Sequence, residues 1–443
     1  MQEKASKPAS SFYLKNPVLK NKEFICYLLF RFGIYFALNL QSTAIYYWVY
    51  HLTGSNLKMG LIGLAEVIPA IAFSMFSGHF VDLHEKRKML LVCLVGYIFL
   101  GGGLFYLSTG FSLHRLGLDW TLNLIFALIF FGGVLRAFVS PASFALLGQL
   151  TPREHYPNAT SWSSMAFKIG SVIGPLSFGA VNTVMGLLSG DPVDMVRSSG
   201  SVTAISGVTG SMLLIFLVEL LLLVPVLIIK AKPILKKVKE PILQSLSLGV
   251  KFILKTPALL GAQALDMFTV LFGGAVALLP AFVEIHKMTE TQYGILRAAP
   301  GIGSILTLIL LAYLPLNTHP GKKLLYCCAG FGLSIIVFGF SRDIYWATLA
   351  LVASGMFDAV SVVVRGTILQ LVTPDEMRGR VAAVNTMFVS SSNELGDFES
   401  GVFAHWIGTI RAIVVGGFLT LGVVGLTATK AKELRLFDYK KYS

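Results

Sequence analysis

Apolar runs long enough to cross a lipid bilayer recur along almost the whole chain, and this leaves few folds open. A membrane-crossing helix needs about 20 mostly apolar residues. Twelve stretches meet that need, near 24–50, 58–81, 88–109, 119–148, 158–188, 208–230, 257–285, 290–315, 322–341, 343–371, 378–406 and 408–430. Several exceed 25 residues, so they tilt or run past the hydrocarbon. A membrane β-barrel would instead alternate polar and apolar residues over about ten positions. These runs do not alternate. The expected fold class is an all-α membrane protein. Composition agrees: 55% of the 443 residues are hydrophobic and 13% are charged, whereas a soluble domain carries about 25% charged residues. A soluble enzyme, a nucleic-acid binder and a disordered scaffold are excluded as the main reading.

The net charge of +13 is a topology signal. With an even number of spans both termini lie on one side. That side carries 25 Lys and Arg, including Lys86 to Lys88, seven in 230–255 and the two tails. The opposite side carries 6, namely Lys58, Arg115, Arg197, Lys287, Arg342 and Arg411. The basic side is the cytoplasmic one, so no nucleic acid is needed to explain the charge. Cys26, Cys93, Cys327 and Cys328 sit in apolar runs without zinc-ligand or disulfide spacing. They read as buried small side chains, and no metal is expected. The first 23 residues are polar and basic, and no cleavable leader is expected.

The longest polar break, KAKPILKKVKEP (Lys230 to Pro241), falls near mid-chain. The expected organisation is a cytoplasmic tail (1–23), an N-terminal six-helix half (24–230), a cytoplasmic linker (231–256), a C-terminal six-helix half (257–430) and a tail (431–443). Ile242 to Lys255 has apolar residues at helical spacing and suits an interfacial helix. The halves echo each other. Thr151-Pro152-Arg153-Glu154 matches Thr373-Pro374-Asp375-Glu376 at an offset of 222. VDLHEKRKML (Val81 to Leu90) matches LNTHPGKKLL (Leu316 to Leu325) at an offset of 235. Both matches fall on the same side in each half, as parallel repeats about the membrane normal require.

A charge in mid-span costs about 2.5–3.5 kcal/mol on insertion scales, so each one asks for a partner or a water-filled cavity. The cations are Arg31, Arg136, Lys168, Arg297 and Arg365. The anions are Glu66, Glu219, Asp266, Asp358, Glu394, Asp397 and Glu399. At the repeat offsets Arg31 maps onto Asp266 and Arg136 onto Asp358, opposite charges at equivalent positions. Two readings stay open. One is a set of structural ion pairs locking the halves. The other is a charged cavity lining whose carboxylates, Asp266 and Asp358 first, bind and release a proton. Glu394 and Asp397 share a helix face in FVSSSNELGDFESG (Phe388 to Gly401), while Glu399 points elsewhere. That polar face serves either helix packing or a proton relay.

No phosphate-binding G-x-x-x-x-G-K-[ST], no H-E-x-x-H and no G-x-S-x-G occurs. An ATP-driven pump and a membrane enzyme lose weight, and no cofactor is expected.

GHFVDLHEKRK (Gly78 to Lys88) resembles the cytoplasmic loop motif of the major facilitator superfamily. The resemblance implies that Gly78 packs closely against a neighbouring helix and that Asp82 is a gate residue. Arg87 and Lys88 are the matching basic positions, and Asn317 replaces the aspartate in the second half. Arg378 and Arg380 occupy the corresponding cytoplasmic edge of span eleven. Arg136 resembles the family's buried arginine, which is linked there to proton coupling. Gly170, Gly174, Pro175 and Gly179 resemble the span-five motif of its antiporters. FDAVSVVVRGTILQLVTPDEMRGRVAAVN and SSNELGDFESG are similar to the bacterial transmembrane secretion effector and enterobactin-exporter branch.

The expected function is therefore secondary active transport by alternating access in a bacterial cytoplasmic membrane. The substrate would be a small amphipathic molecule, drug or siderophore-like, exported against protons by a monomer among membrane lipids. Spans one, four, seven and ten would line the cavity, with Phe36, Tyr46, Tyr47 and Phe138 supplying apolar contacts. One alternative is a lipid or lysophospholipid transporter not obligatorily coupled to protons. The other is a non-transporting receptor or scaffold.

Overall fold

The computed structural model describes residues 17–152, 155–189, 206–233, 242–313, 319–374 and 377–437. Twelve long helical rods run through it. In the N-terminal half they are α1 (Lys22–Thr53), α2 (Asn56–Leu83), α3 (Lys86–Leu107), α4 (Gly110–Leu150), α5 (Tyr156–Ser189) and α6 (Ser206–Leu221). In the C-terminal half they are α7 (Pro257–Phe272), α8 (Glu290–Tyr313), α9 (Pro320–Phe340), α10 (Ile344–Val372), α11 (Arg378–Ile407) and α12 (Thr409–Lys430). Among the described residues, eleven spans are long and apolar enough to cross a membrane. The remaining rod, α11, has 30 residues but carries Glu394, Asp397 and Glu399, so its length suffices while its composition does not.

Local chemistry sets the breaks. The Asn21 side chain caps α1 by accepting from the Glu23 N–H. Gly54 ends the same helix at φ 60, a left-handed conformation that glycine adopts without strain. Ser55 then caps α2, which makes a two-residue turn. Gly117, at φ 75 and ψ 170, interrupts α4. This is why the sequence pattern of the fourth span begins just after it. Past Leu221 the sixth span has a one-residue break and resumes as Leu223–Ile228. Pro225, in its first turn, lacks the N–H that a continuous helix would need. Span seven also breaks after Phe272. It continues as a 3-10 turn, Ala275–Leu278, and a short helix, Leu279–Ile285.

Each half repeats one packing scheme. In the first, α4 lies against α2 and α3, and α1 lies against α5 and α6. In the second, α10 lies against α8 and α9, and α7 lies against α11 and α12. A Cβ on Gly133 of α4 would meet Glu66 and Pro69 of α2. A Cβ on Gly355 of α10 would meet Pro300 of α8. The two contacts are pseudo-symmetric. The halves meet through the matching pairs α2–α11 and α5–α8.

We call the end at which α1 begins and α12 finishes the near end. Among the described residues, the hydrogen bonds between the halves join Ser42, Thr43, Tyr46, Tyr47, Asn56, Arg136 and Thr183 to partners on α8, α11 and α12. All of these lie in the middle of the rods or toward the far end. Among the described residues no hydrogen bond joins the halves closer to the near end, where the helix Ile242–Lys255 touches both α2 and α11. We take the space between the halves on that side as a cleft, with the bundle tied at the far end. Arg136 sits deep in this cleft, yet its side chain remains 42% accessible.

The expected interfacial segment is a helix, Ile242–Lys255, and it packs on α11. The linker residues 234–241 before it lie outside the described residues. The chain after α12 is not a free tail at its start. Leu434 and Phe437 are buried in the core of the C-terminal half.

Candidate functional site

The mid-span charges collect in three groups. The first ties the halves together. Nη1 of Arg136 on α4 donates to Glu66 Oε1 of α2 and to Glu394 Oε1 of α11, both at 2.6 Å. One guanidinium thus holds one carboxylate from each half. Glu394 and Asp397 share a face of α11, as their spacing implies. Asp397 Oδ2 accepts from the Tyr46 hydroxyl of α1 at 2.6 Å. The Arg297 guanidinium of α8 lies 4.9 Å from the Tyr46 ring centre. It donates to Ser42 Oγ at 2.9 Å, to Thr43 Oγ1 at 3.1 Å and to the Val276 carbonyl at 3.2 Å. That carbonyl also accepts from the Leu279 N–H, so Arg297 takes its second lone pair, and irregular backbone at membrane depth survives where protein groups satisfy it.

The second group lies inside the C-terminal half. Arg365 of α10 forms an ion pair with Asp266 of α7, and their side chains are 7% and 4% accessible. Ser361 Oγ donates to the other oxygen, Asp266 Oδ1, at 3.3 Å. Asp266 and Asp358 border one cavity with Thr269, Cys328, Phe331 and Phe357. It has about 10 Å³ of room for a water centre, the space of a single water.

The third group lies on the cleft wall of the N-terminal half. Arg31 Nη1 of α1 donates to Ser143 Oγ at 3.1 Å, and its Nε donates to the Ser163 carbonyl at 3.3 Å. Its guanidinium lies 5.1 Å from the Tyr35 ring centre. Tyr35 meets Phe167 of α5 edge-on at 4.5 Å. The ammonium of Lys168 lies 5.8 Å from the Phe167 ring centre. Across the cleft, Asp358 is within electrostatic reach of Lys168. At 1.5 Å per residue, Arg31, Lys168, Asp266 and Asp358 sit about 14–21 Å in from the near ends of their helices, close to mid-membrane.

These contacts supply partners that the repeat offsets left open. The offsets make Arg31 equivalent to Asp266 and Arg136 equivalent to Asp358, and among the described residues neither equivalent pair meets. Arg31 finds serines, Asp266 finds Arg365, and Arg136 finds Glu66 and Glu394. Positions related by the pseudo-axis lie in opposite halves, so equivalence does not make them neighbours. The sequence exposed every one of these charges, but Glu66, Arg297 and Arg365 were not singled out, because nothing local marks a partner from another helix. Tyr46 and Tyr47, expected as apolar contacts, instead donate hydrogen bonds to Asp397 and Glu290. Glu219 belongs to none of the groups. It is 0% exposed and packs against Gly101 of α3.

The span-five glycines pack tightly. A Cβ on Gly170 would lie 2.8 Å from the Phe32 carbonyl oxygen, and one on Gly174 would lie 2.8 Å from that of Phe36. At Gly179 it would lie 2.8 Å from Cα of Thr291 in the other half. The Pro175 carbonyl abuts Gly294 of α8. Gly78 departs from expectation. A Cβ there would meet nothing within 4 Å. Arg87 donates to the Val226 and Leu227 carbonyls at 3.2 and 2.9 Å, so it holds the end of span six. Lys88 makes an exposed ion pair with Glu85 at 3.6 Å. Asn317, and the side chains of Asp82, Arg378 and Arg380, lie outside the described residues. A tighter contact, α2 on α11 through Gly60, Gly63 and Gly401, escaped the sequence reading. The glycines in both helices were its available signal.

Residues 24–396 match the model of the Major Facilitator Superfamily. The chain is 25% identical to the enterobactin exporter EntS of Escherichia coli O1:K1 / APEC, over 96% of each protein. Its fold is similar to that of a bacterial homologue of the iron transporter ferroportin in an inward-facing state. That likeness has a TM-score of 0.67 at 15% identity, over 95% of this chain and 99% of the other. It is also similar to an inward-facing bacterial homologue of the human lysosomal transporter Spinster. There the TM-score is 0.63 at 15% identity, over 98% of both chains.

Proposed function

The chain belongs to the Major Facilitator Superfamily, and from that premise we propose that it exports a small amphipathic molecule, drug or siderophore-like, in exchange for protons across a bacterial cytoplasmic membrane. With the termini on the cytoplasmic side, the cleft faces the cytoplasm and the arrangement is an inward-open state. Transport then requires the far-end contacts to part while the near ends close, a rocking of the two halves about a central site.

The observation that carries this reading is the cross-half linkage of Arg136 to Glu66 and Glu394, beside Asp397 and Tyr46. A guanidinium shared by two carboxylates leaves one negative charge in excess. Proton arrival on a carboxylate removes that excess and weakens the tie that holds the far end shut. The state of a proton-binding group thereby becomes coupled to which end is open. The likeness to an enterobactin exporter along almost the whole chain supports the outward direction and the substrate size.

The test uses purified protein in liposomes loaded with a pH-sensitive dye. Siderophores, cationic and anionic drugs and lysolipids are added in turn under an imposed proton gradient. Proton flux that depends on one compound is the expected result. Lysolipid movement without proton flux would replace this reading with a lipid transporter.

A further inference from the structure

We propose that the α1–α5 wall of the cleft binds the anionic group of an aromatic substrate, between Arg31 and Lys168. This deepens the exporter reading and rests on it only for the direction of transport.

The mid-span cations differ in how they are satisfied. Arg136 holds Glu66 and Glu394, and Arg365 holds Asp266. Arg297 uses all three guanidinium nitrogens on two hydroxyls and a carbonyl. Arg31 and Lys168 have no carboxylate within 4.0 Å among the described residues. Asp358 reaches Lys168 only at a distance across the cleft, so two cations near mid-membrane lack a direct ion pair, and an anion that is not part of the protein would supply one. Arg31 is also aimed. Two of its nitrogens are tied to Ser143 and Ser163, which leaves Nη2 without a hydrogen bond among the described residues. A guanidinium so oriented suits a carboxylate, phenolate or sulfonate.

The rings between the cations define the rest of the ligand. Arg31, Tyr35, Phe167 and Lys168 form one continuous patch, with cations at its edges and aromatic faces inside. An aryl group laid on Tyr35 and Phe167 would bring an acidic substituent to either cation. The carboxylates that a cationic ligand would need are mostly engaged. Arg136 holds Glu66 and Glu394, Arg365 holds Asp266, and Tyr46 holds Asp397. Asp358 lies on the opposite wall, so the cleft presents positive charge on one side only.

Three matched probes test this by titration calorimetry on the detergent-solubilised full chain: 2-naphthoate, 2-naphthylmethanol and 2-naphthylmethylammonium. The expected result is that naphthoate binds at least about tenfold more tightly than either other probe, as one charge-assisted hydrogen bond predicts. Arg31→Gln and Lys168→Gln each remove that preference, and Lys168→Arg restores it. Thermal unfolding of each variant reports its folding. Equal binding of the three probes, no binding of any, or naphthoate affinity unchanged in both Gln variants would overturn the proposal. The titration involves no gradient. A naphthoate preference without substrate-dependent proton flux in liposomes therefore refutes the exchange reading and leaves the anion site standing.

Discussion

Arg136 and Glu394 are 258 positions apart in the chain, yet they meet at 2.6 Å across the two halves. Their contact joins the fourth span to the eleventh where the cleft closes. Glu394→Gln keeps the side-chain shape and removes the charge, while Glu66 still satisfies Arg136. The variant should fold, with substrate-dependent proton flux reduced at least about tenfold, the effect of roughly 1.4 kcal/mol. Cysteines placed at Asn56 and Thr409 should also crosslink less readily than in the parent. Unchanged flux and crosslinking would remove the pair from the mechanism.

The buried pair of Arg365 and Asp266 predicts a stability asymmetry. Arg365→Met leaves Asp266 alone in a closed site, and removing one partner of a buried pair costs about 3–5 kcal/mol. Arg365→Met with Asp266→Leu removes both charges and should recover most of that loss. Thermal unfolding of the single and double variants measures the difference. A double variant as unstable as the single would show that the charge pairing is not what matters there.

Asp266→Asn and Asp358→Asn address coupling separately. Each should abolish proton-coupled transport. Asp358→Asn should stay close to the parent in stability, whereas Asp266→Asn strands the buried Arg365 and should lose stability as Arg365→Met does, so flux is compared on the fraction that elutes folded on gel filtration. Parental proton flux in both variants would rule these carboxylates out as carriers.

Glycine positions divide by what surrounds them. A Cβ on Gly401 would stand 2.7 Å from Gly60 Cα and 2.8 Å from the Asn56 carbonyl oxygen, and neither backbone atom can rotate away. Gly401→Ala should therefore destabilise the far-end contact by about 1–3 kcal/mol. Gly78→Ala meets open space and should stay within about 0.5 kcal/mol of the parent. If the two variants unfold at the same temperature, the close approach of α2 and α11 is not a stabilising contact.

Arg87 and Lys88 are adjacent but unlike. Arg87 reaches two carbonyls at the end of span six, where the helix dipole is negative, a contact worth about 0.3–1 kcal/mol. Lys88 is 79% accessible and pairs with Glu85 at 3.6 Å, a surface bridge of about 0–1 kcal/mol at most. Arg87→Gln should lower the unfolding temperature measurably, and Lys88→Gln should not. The reverse order would contradict the carbonyl contacts.

The spans, their number and the repeat were legible because hydrophobicity and charge spacing are local. Any 20-residue apolar run must cross lipid or be buried, whatever its neighbours. Asn21, Gly54 and Ser55 likewise carry their turn and cap chemistry in their own side chains. The charged residues were equally visible, since each one interrupts an apolar run. What the sequence could not supply was who faces whom. Arg31 and Asp266 occupy equivalent places in two repeats, and each finds its partners within its own half. Arg136 meets Glu66 and Glu394 because α4, α2 and α11 converge at one depth, which no spacing along the chain records. Gly78 has the residue of a packing motif but open space around it, because a close contact depends on where a second helix lies. Sequence alone determined where the twelve long spans run and where their polar groups lie. Tertiary structure decided which polar groups pair, because pairing depends on distance between helices, and that is set by packing across the whole bundle.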